Sequence, residues 1–302
     1  MASHLLIVNP AAGSGQGRER AKAFTDALPP GSDFHLRETD QRGSAVRIAR
    51  EGARDYDRII AVGGDGTLNE VLSGLMEARE EGDGEMAALA FLPSGTANGA
   101  VRAFGLTTEP QVAARSLADA ETLTVDVGMV SYEGGERPYL IRFGAGLDAA
   151  VLEELNASRS GVMGFVGLAR SLPRIVAVMR GYSDPAIAIE VDGVDFGSAA
   201  SVVLPNVAEV GLQATVVEDA DPADGQLEVL AVSMPTKWSI VKLGLRMVAS
   251  SLASAPEVRK TRGRTVRLSS EADAPFQMDG EPVGTLPVEV KLVPGAIRLL
   301  LT

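Results

Sequence analysis

The hydrophobic and polar positions along this chain change rhythm near residue 120. Before that point, short apolar runs alternate with longer stretches of helical period. Leu5 to Val8 and Arg58 to Val62 are near-continuous apolar runs, the pattern of strands buried on both faces. Phe34 to Glu38 and Ala87 to Leu92 complete a set of four predicted strands. Between them the period predicts helices over Gly17 to Leu28, Ser44 to Arg54 with Ser44 as its cap, and Leu68 to Arg79. Shorter helices are expected near Ala97 to Phe104 and Gln111 to Leu117. Strands alternating with helices imply a parallel sheet covered on both faces. From about Leu123, short β-type runs take over, at Thr124 to Tyr132, Tyr139 to Phe143, Ala186 to Val191 and Ser201 to Leu204. They continue at Gln226 to Val232, Thr265 to Ser269, Val288 to Val293 and Ala296 to Leu301. Gly, Pro and Asp punctuate them, which predicts an antiparallel sandwich or barrel. Two helical stretches interrupt, Val162 to Met179 and Thr236 to Ser254. The expected organisation is an α/β domain over 1–125 and a β-rich domain over 126–302.

Ligands on a parallel sheet lie beyond the carboxyl ends of its strands. Three loops at those ends are rich in small and polar residues. They are Asn9-Pro10-Ala11-Ala12-Gly13-Ser14-Gly15, Gly63-Gly64-Asp65-Gly66-Thr67-Leu68-Asn69-Glu70 and Pro93-Ser94-Gly95-Thr96-Ala97-Asn98-Gly99. Glycines free the backbone to approach a ligand, and N–H groups at a strand-to-helix turn cradle phosphate. Asp65 alone is a poor phosphate ligand. It fits a divalent metal or an activated hydroxyl beside the phosphate. The Walker spacing, the dinucleotide fingerprint, the nucleophile elbow and the protein-kinase set are all absent.

Composition narrows the chemistry. There is no cysteine, so thiolate metal sites and thiol nucleophiles are excluded. His4 and His35 are the only histidines and both fall in predicted strands, which disfavours a histidine metal centre. The net charge of −12 argues against nucleic acid as a partner. No apolar run reaches transmembrane length, and Leu5 to Val8 is too short for a signal segment, so a cytoplasmic protein is expected. Arg259, Lys260, Arg262, Arg264 and Arg267 form a basic cluster in this acidic chain. It is expected either to face anionic headgroups or to be an ordinary solvated strand.

The first and second loops, with Leu92-Pro93-Ser94-Gly95-Thr96-Ala97-Asn98, resemble the catalytic domain of the diacylglycerol kinase family. That family includes sphingosine and ceramide kinases and many bacterial lipid kinases. Asp221-Pro222-Ala223-Asp224-Gly225-Gln226-Leu227 resembles the family's metal loop, and Met278-Asp279-Gly280-Glu281 its late Asp-Gly-Glu motif. The resemblance implies an α/β domain of the NAD kinase and diacylglycerol kinase type, followed by a mainly antiparallel β-sandwich. It implies an ATP- and Mg²⁺-dependent kinase acting on a hydroxyl of a diacylglycerol-like or sphingoid lipid, bound in a cleft between the domains. Asn9, Pro10, Gly13 and Thr39 would line the nucleotide site. Gly63, Gly64, Asp65, Gly66, Thr67 and Glu70 would hold the phosphates and their Mg²⁺, with Thr96 completing that edge. Glu281 would be the general base with Asp279 beside it. Asp221, Asp224 and the Gln226 carbonyl would hold a second, structural Mg²⁺. The implied partner is a lipid at a membrane surface, met by a peripheral protein, with a homodimer also expected. The alternatives are an NAD kinase-like soluble kinase and a non-catalytic nucleotide- or lipid-binding relative. The second draws on Gly99 and Glu218, which depart from the family pattern.

Overall fold

Runs without polar residues become strands with no wet face. The computed structural model describes residues 2–82, 84–95, 98–157, 174, 177, 178, 181, 182, 186–208, 220–233 and 255–302. They divide into unit 1, residues 1–125 with 295–302, and unit 2, residues 126–294. The last eight residues, expected in the second domain, therefore belong to unit 1. Leu299 pairs in parallel with Leu89 there, and the Thr107 N–H donates to the Thr302 carbonyl at 2.7 Å.

Unit 1 contains β1 (Ser3–Val8), α1 (Ala12–Gly15), α2 (Gly17–Ala27), β2 (Asp33–Glu38), α3 (Ser44–Gly52) and β3 (Arg58–Gly63). It continues with α4 (Asp65–Glu80), β4 (Ala88–Pro93), α5 (Gly99–Phe104) and α6 (Pro110–Ser116). The four strands form a parallel sheet in the order β2-β1-β3-β4. Leu6, Val8, Ile60, Val62, Ala90 and Leu92 share one face with Phe24 of α2, Ala113 of α6 and Leu117 at the end of α6. Leu5, Ile7, Ile59, Ala61, Leu89 and Phe91 alternate with these residues and are equally buried. Helices α3 and α4 pack closely: a Cβ on Gly74 would lie 2.2 Å from the Val46 carbonyl oxygen.

Two helix starts differ from the sequence expectation. Helix α3 is capped by Gly43 at φ 84°, and Ser44 is its first residue. The Ser44 hydroxyl accepts the Gln41 N–H at 3.2 Å and donates to Asp40. Helix α4 begins three residues early, at Asp65 with Gly64 as cap, so the glycine-rich motif is itself the first turn.

Strand β5 (Glu121–Tyr132) enters unit 2 from unit 1, followed by β6 (Gly135–Tyr139), β7 (Arg142–Gly146), α7 (Leu147–Ala157), β8 (Ile187–Val191) and β9 (Val194–Ala199). Next come β10 (Ser201–Pro205), β11 (Leu227–Val232), β12 (Val258–Gly263), β13 (Thr265–Ser269), β14 (Pro275–Met278) and β15 (Glu281–Thr285). Strand β16 (Val288–Leu301) leads back to unit 1. In unit 2, strands β7 to β15 pair antiparallel among the described residues, and helix α7 lies between β7 and β8. One sheet runs β12-β11-β10-β7-β14-β15, and the opposing strands include β13, β8 and β9. Phe143, Val202, Val229 and Phe276 from the first share a core with Ile189, Val266 and Val290 from the second. Two sheets sharing one core make a sandwich. The expected strand over Tyr139 to Phe143 is two strands, and the two runs at the end are one. The stretches 158–173 and 234–254, which hold most of both expected long helices, lie outside the described residues.

Helix propensity alone predicts that Gly74→Ala stabilises the protein by up to ~1 kcal/mol. The close α3–α4 approach predicts the opposite, a loss of about 1–3 kcal/mol by overpacking. A lowered Tm supports that packing, and a raised Tm contradicts it.

Candidate active site

The carboxyl ends of β1, β3 and β4 carry the three glycine-rich loops, and backbone contacts join them. The Ser94 N–H donates to the Gly63 carbonyl at 2.7 Å, and the Asn9 N–H to the Val62 carbonyl at 2.9 Å. Asn9 then bends its own loop, because its Oδ1 accepts the Ala11 N–H at 3.0 Å. Its Nδ2 donates to Thr67 Oγ1 at 3.1 Å, which ties the first loop to the second. Pro10 follows at the start of the turn. Gly13, Ser14 and Gly15 all take positive φ, at 60°, 59° and 93°. A Cβ on Gly13 would lie 1.9 Å from the Ser94 carbonyl oxygen, and one on Gly95 would lie 2.8 Å from the Gly64 Cα. The loops therefore touch where only glycine fits.

Helix α4 opens into this cluster with no side-chain cap on Gly64. The first bond into the helix runs from the Leu68 N–H to the Gly64 carbonyl at 3.1 Å. The amides of Asp65, Gly66 and Thr67 thus have no intrahelical acceptor and sit at the positive end of a 16-residue helix. Ser94 Oγ is buried and unpartnered among the described residues, as is Asn98 Oδ1. Unsatisfied donors and a buried hydroxyl beside a helix N-terminus fit an anionic ligand.

Asp65 has a structural part in the cluster. Its carboxylate accepts the Gly99 N–H at 3.1 Å and the Ala100 N–H at 3.5 Å, so it caps α5 from the second loop. Glu70 Oε2 accepts the Ala45 N–H at 3.3 Å, at the start of α3. The Thr39 N–H donates to the Val8 carbonyl at 2.9 Å, which places Thr39 at the same sheet end. Gly63, Gly64, Gly66 and Thr67 lie in the cluster, and Thr96 lies outside the described residues.

In unit 2, Asp279 and Gly280 are the two turn residues of the β14–β15 hairpin, at φ 49° and 88°. Positive φ at both is the turn that matches strand twist. The Asp279 carboxylate also accepts three amides of the preceding β6–β7 segment: Leu140 at 2.8 Å, Ile141 at 2.8 Å and Arg142 at 3.0 Å. Asp192–Gly193 repeats the design in the β8–β9 hairpin, with Asp192 accepting the Arg264 and Thr265 amides at 3.0 and 2.8 Å. An aspartate in this setting is an anchor between strands.

The Asp279 anchor continues into a part-buried network that the sequence did not single out. Arg142 bonds Asp148 at 2.9 Å, and Gln277 donates to the other Asp148 oxygen at 2.9 Å. Gln277 Oε1 accepts the Gly280 N–H at 2.9 Å, which closes the ring on the hairpin turn. Gly144 makes the room, since a Cβ there would lie 1.9 Å from Asp148 Oδ2. The signal in the sequence was the glycine run Phe143 to Asp148. Tyr139 is fully buried nearby, and burial first, then the Asp279 charge, push its phenol pKa up. Glu281 follows the turn as the first residue of β15, half-exposed, with Arg137 3.8 Å away.

The Asp221–Gln226 loop rests on the buried Asp126, whose carboxylate accepts the Gly225 N–H at 2.7 Å. Asp221 Oδ1 accepts the Ala223 N–H at 3.0 Å, and Asp224 Oδ1 accepts the Gln226 N–H at 2.9 Å. One oxygen of each carboxylate is thereby used by the loop itself. The remaining carboxylate oxygens and the Gln226 carbonyl are hard donors of the kind Mg²⁺ takes. Arg262 competes at 3.9 Å from Asp224 Oδ2. No group of three or more acidic, histidine or cysteine side chains converges among the described residues.

The basic cluster is not a free cationic face. Arg259 donates to the Phe196 and Ser198 carbonyls at 2.7 and 2.8 Å, and Arg264 to the Gly225 carbonyl at 3.2 Å. Arg262 pairs with Glu228 at 2.5 Å, and Arg267 with Glu190 and Glu289 at 2.9 and 2.5 Å. These contacts favour the solvated-strand reading of Arg259 to Arg267. No helix among the described residues is long and apolar enough to cross a membrane.

Comparison with known proteins agrees with both halves. Residues 3–130 match the family model of the diacylglycerol kinase catalytic domain. Residues 142–301 match that of the YegS C-terminal NAD kinase beta sandwich-like domain. A protein of Stenotrophomonas maltophilia named "Probable lipid kinase YegS-like" is 29% identical over 277 residues, covering 89% of this chain and 87% of its own. A diacylglycerol kinase of Staphylococcus haemolyticus is 29% identical over 260 residues, covering 82% and 72%. The crystal structure of a diacylglycerol kinase from Bacillus anthracis superposes with a TM-score of 0.71 at 20% identity, covering 100% of this chain and 97% of that one. That last likeness concerns the fold.

Removing an anchor should loosen only the strands it holds. Asp279→Ala is expected to speed amide hydrogen exchange at Leu140, Ile141 and Arg142 by the loss of about 1–3 kcal/mol of local stability. Asp192→Ala should do the same at Arg264 and Thr265. Unchanged exchange at these amides would show that the carboxylates are not anchors.

Proposed function

The chain belongs to the diacylglycerol kinase family, whose members are kinases with an alcohol acceptor, and on that premise we propose an ATP- and Mg²⁺-dependent lipid kinase. Its acceptor is a hydroxyl of a diacylglycerol-like or sphingoid lipid, met at a membrane surface by a peripheral cytoplasmic protein. The observation that carries the reading is the contact of three glycine-rich loops around the uncapped start of α4.

The roles follow from what each group is free to do. The amides of Asp65, Gly66 and Thr67 bind phosphate oxygens, and Ser94 Oγ adds a donor from the third loop. Asn9, Pro10, Gly13 and Thr39 shape the nucleotide side of the site. Asp65 holds the second and third loops in register through its bonds to Gly99 and Ala100, and Glu70 fixes α3 beside α4. Asp65 would hold a Mg²⁺ bound with the nucleotide, which would supply positive charge to the phosphates. Asp221, Asp224 and the Gln226 carbonyl would hold a second Mg²⁺ that stiffens their loop.

Glu281 is the general base. Its carboxylate is not committed to backbone amides, whereas that of Asp279 accepts three. Asp279 is therefore the positioning residue of the pair, and Glu281 takes the proton from the acceptor hydroxyl as its oxygen attacks the γ-phosphorus. The phosphoryl group passes to that oxygen, and the diphosphate leaves with the bridging electrons. Positioning and charge neutralisation supply most of such catalysis.

With radiolabelled ATP and a lipid panel, Glu281→Gln should lower turnover by about 10²- to 10⁴-fold. Its ATP affinity should stay at the wild-type value. Asp65→Ala should weaken ATP binding as well as turnover. Wild-type turnover in both variants would refute the site.

A further inference from the structure

Unit 2 holds two hairpin turns of one design, and they differ in the residue two places before the aspartate. Asp192–Gly193 joins Val191 to its partner Val194, and Asp279–Gly280 joins Met278 to its partner Glu281. In the first hairpin the upstream residue is Glu190, whose carboxylate pairs with Arg267 at 2.9 Å. In the second it is Gln277, whose side chain turns back to the loop and accepts the Gly280 N–H on Oε1 at 2.9 Å. Its Nε2 donates to Asp148 Oδ2, also at 2.9 Å. Gln277 has no exposed surface.

The difference falls on the joint next to Glu281. Gly280 takes φ 88°, and a glycine can reorient more freely than any other residue. Its N–H lies in the two-residue loop, outside the ladder that ends at the pair of Met278 with Glu281. Gln277 holds that amide with a side chain that is itself held. A buried primary amide is costly unless both ends are bonded, and here both are. Its orientation is fixed as well. The Asp148 carboxylate accepts, so Nε2 faces it, and the Gly280 N–H donates, so Oε1 faces that. Arg142 of β7 holds the other Asp148 oxygen at 2.9 Å. Gly144 leaves the space, since a Cβ there would lie 1.9 Å from Asp148 Oδ2 and 2.7 Å from Gln277 Nε2.

We propose that Gln277 is a positioning residue for Glu281. With Asp148 behind it, Gln277 pins the Gly280 peptide and thereby sets the direction in which the Glu281 side chain leaves β15. The proposal rests on the reading of Glu281 as the general base. A base works only within hydrogen-bond reach of the proton it takes, and a displacement of about 1 Å can cost about 10²-fold in rate. The other hairpin marks the contrast. It carries Val194 where this one carries Glu281, and Glu190 is spent on a neighbouring strand.

Amide hydrogen exchange on the full chain should find the Gly280 N–H protected in wild type. In Gln277→Leu the Gly280 and Glu281 amides should exchange about 10-fold faster or more. Turnover is measured with radiolabelled ATP and either dioleoylglycerol or sphingosine in detergent micelles. In Gln277→Leu, kcat should fall by about 10- to 100-fold with the KM for ATP unchanged. The deciding variant exchanges the two side-chain types, Asp148→Asn together with Gln277→Glu. The new amide at 148 can accept from Arg142 and donate to the new carboxylate at 277, which can still accept the Gly280 N–H. Every bond of the series is kept, so slow exchange at Gly280 and most of the turnover should return. Gln277→Glu alone sets two carboxylates face to face and should show neither. Fast exchange at Gly280 in wild type, wild-type kcat in Gln277→Leu, or a paired variant no better than Gln277→Glu alone would each overturn the proposal. If Gln277→Leu fails to fold, the last comparison decides. Wild-type turnover in Glu281→Gln would count against the base reading instead, and exchange at Gly280 and Glu281 would still decide whether Gln277 fixes that backbone.

Discussion

The fold of unit 1 turns on a backbone contact that excludes side chains. Gly13 lies so close to the Ser94 carbonyl that a Cβ would sit 1.9 Å from its oxygen, and Gly95 meets the Gly64 Cα almost as closely. Three strand ends are thereby brought to a single point. The polar bonds between the loops, Ser94 to Gly63, Asn9 to Thr67 and Asp65 to Gly99, all presuppose that approach. The start of α4 is left uncapped in the middle of this contact, which is a costly arrangement unless a ligand supplies the acceptors. Structure and chemistry are thus linked by the same missing Cβ atoms.

Unit 2 solves a different problem with a different device. Its hairpins must place turn residues accurately on a sandwich, and an aspartate in the turn does so by collecting amides from a neighbouring strand. Asp279 and Asp192 share this geometry, yet only the first is joined to Arg142, Asp148 and Gln277 and is followed by Glu281. The comparison separates what the Asp-Gly turn does for the fold from what the hairpin offers to chemistry. Asp192 shows that the turn needs no reaction to explain it. The network around Gln277 shows that the Asp279 hairpin is held more rigidly than a turn requires.

Much of this was legible in the residues. Continuous apolar runs located β1, β3 and β4, since strands buried on both faces have no polar side to hide them. The glycine-rich loops were legible because their spacing after those runs placed them at one sheet edge. Strands β9, β12, β14 and β15 were not, because they are short or half-exposed and lack a clear alternation of two. Helix α4 began earlier than its periodicity suggested, since glycines and Asp65 carry no helical signal and the start is fixed by tertiary contact. The glycine run from Phe143 to Asp148 did not reveal its network, because Gln277 joins it from 129 residues away and meets Asp148 only where Gly144 leaves space. The basic stretch from Arg259 to Arg267 looked like a surface for anions until its acidic and carbonyl partners, supplied by other strands, came into view.

The nucleotide site proposed for unit 1 depends on the close approach of the first and third loops. Isothermal titration of ATP into wild type and Gly13→Ala tests it most directly, because the added methyl group must push the Ser94 carbonyl away while leaving every proposed ligand in the chain. Wild type is expected to bind ATP, and Gly13→Ala to bind it far more weakly while remaining folded. ATP binding of equal strength in a folded Gly13→Ala protein, or no ATP binding by wild type, would contradict it.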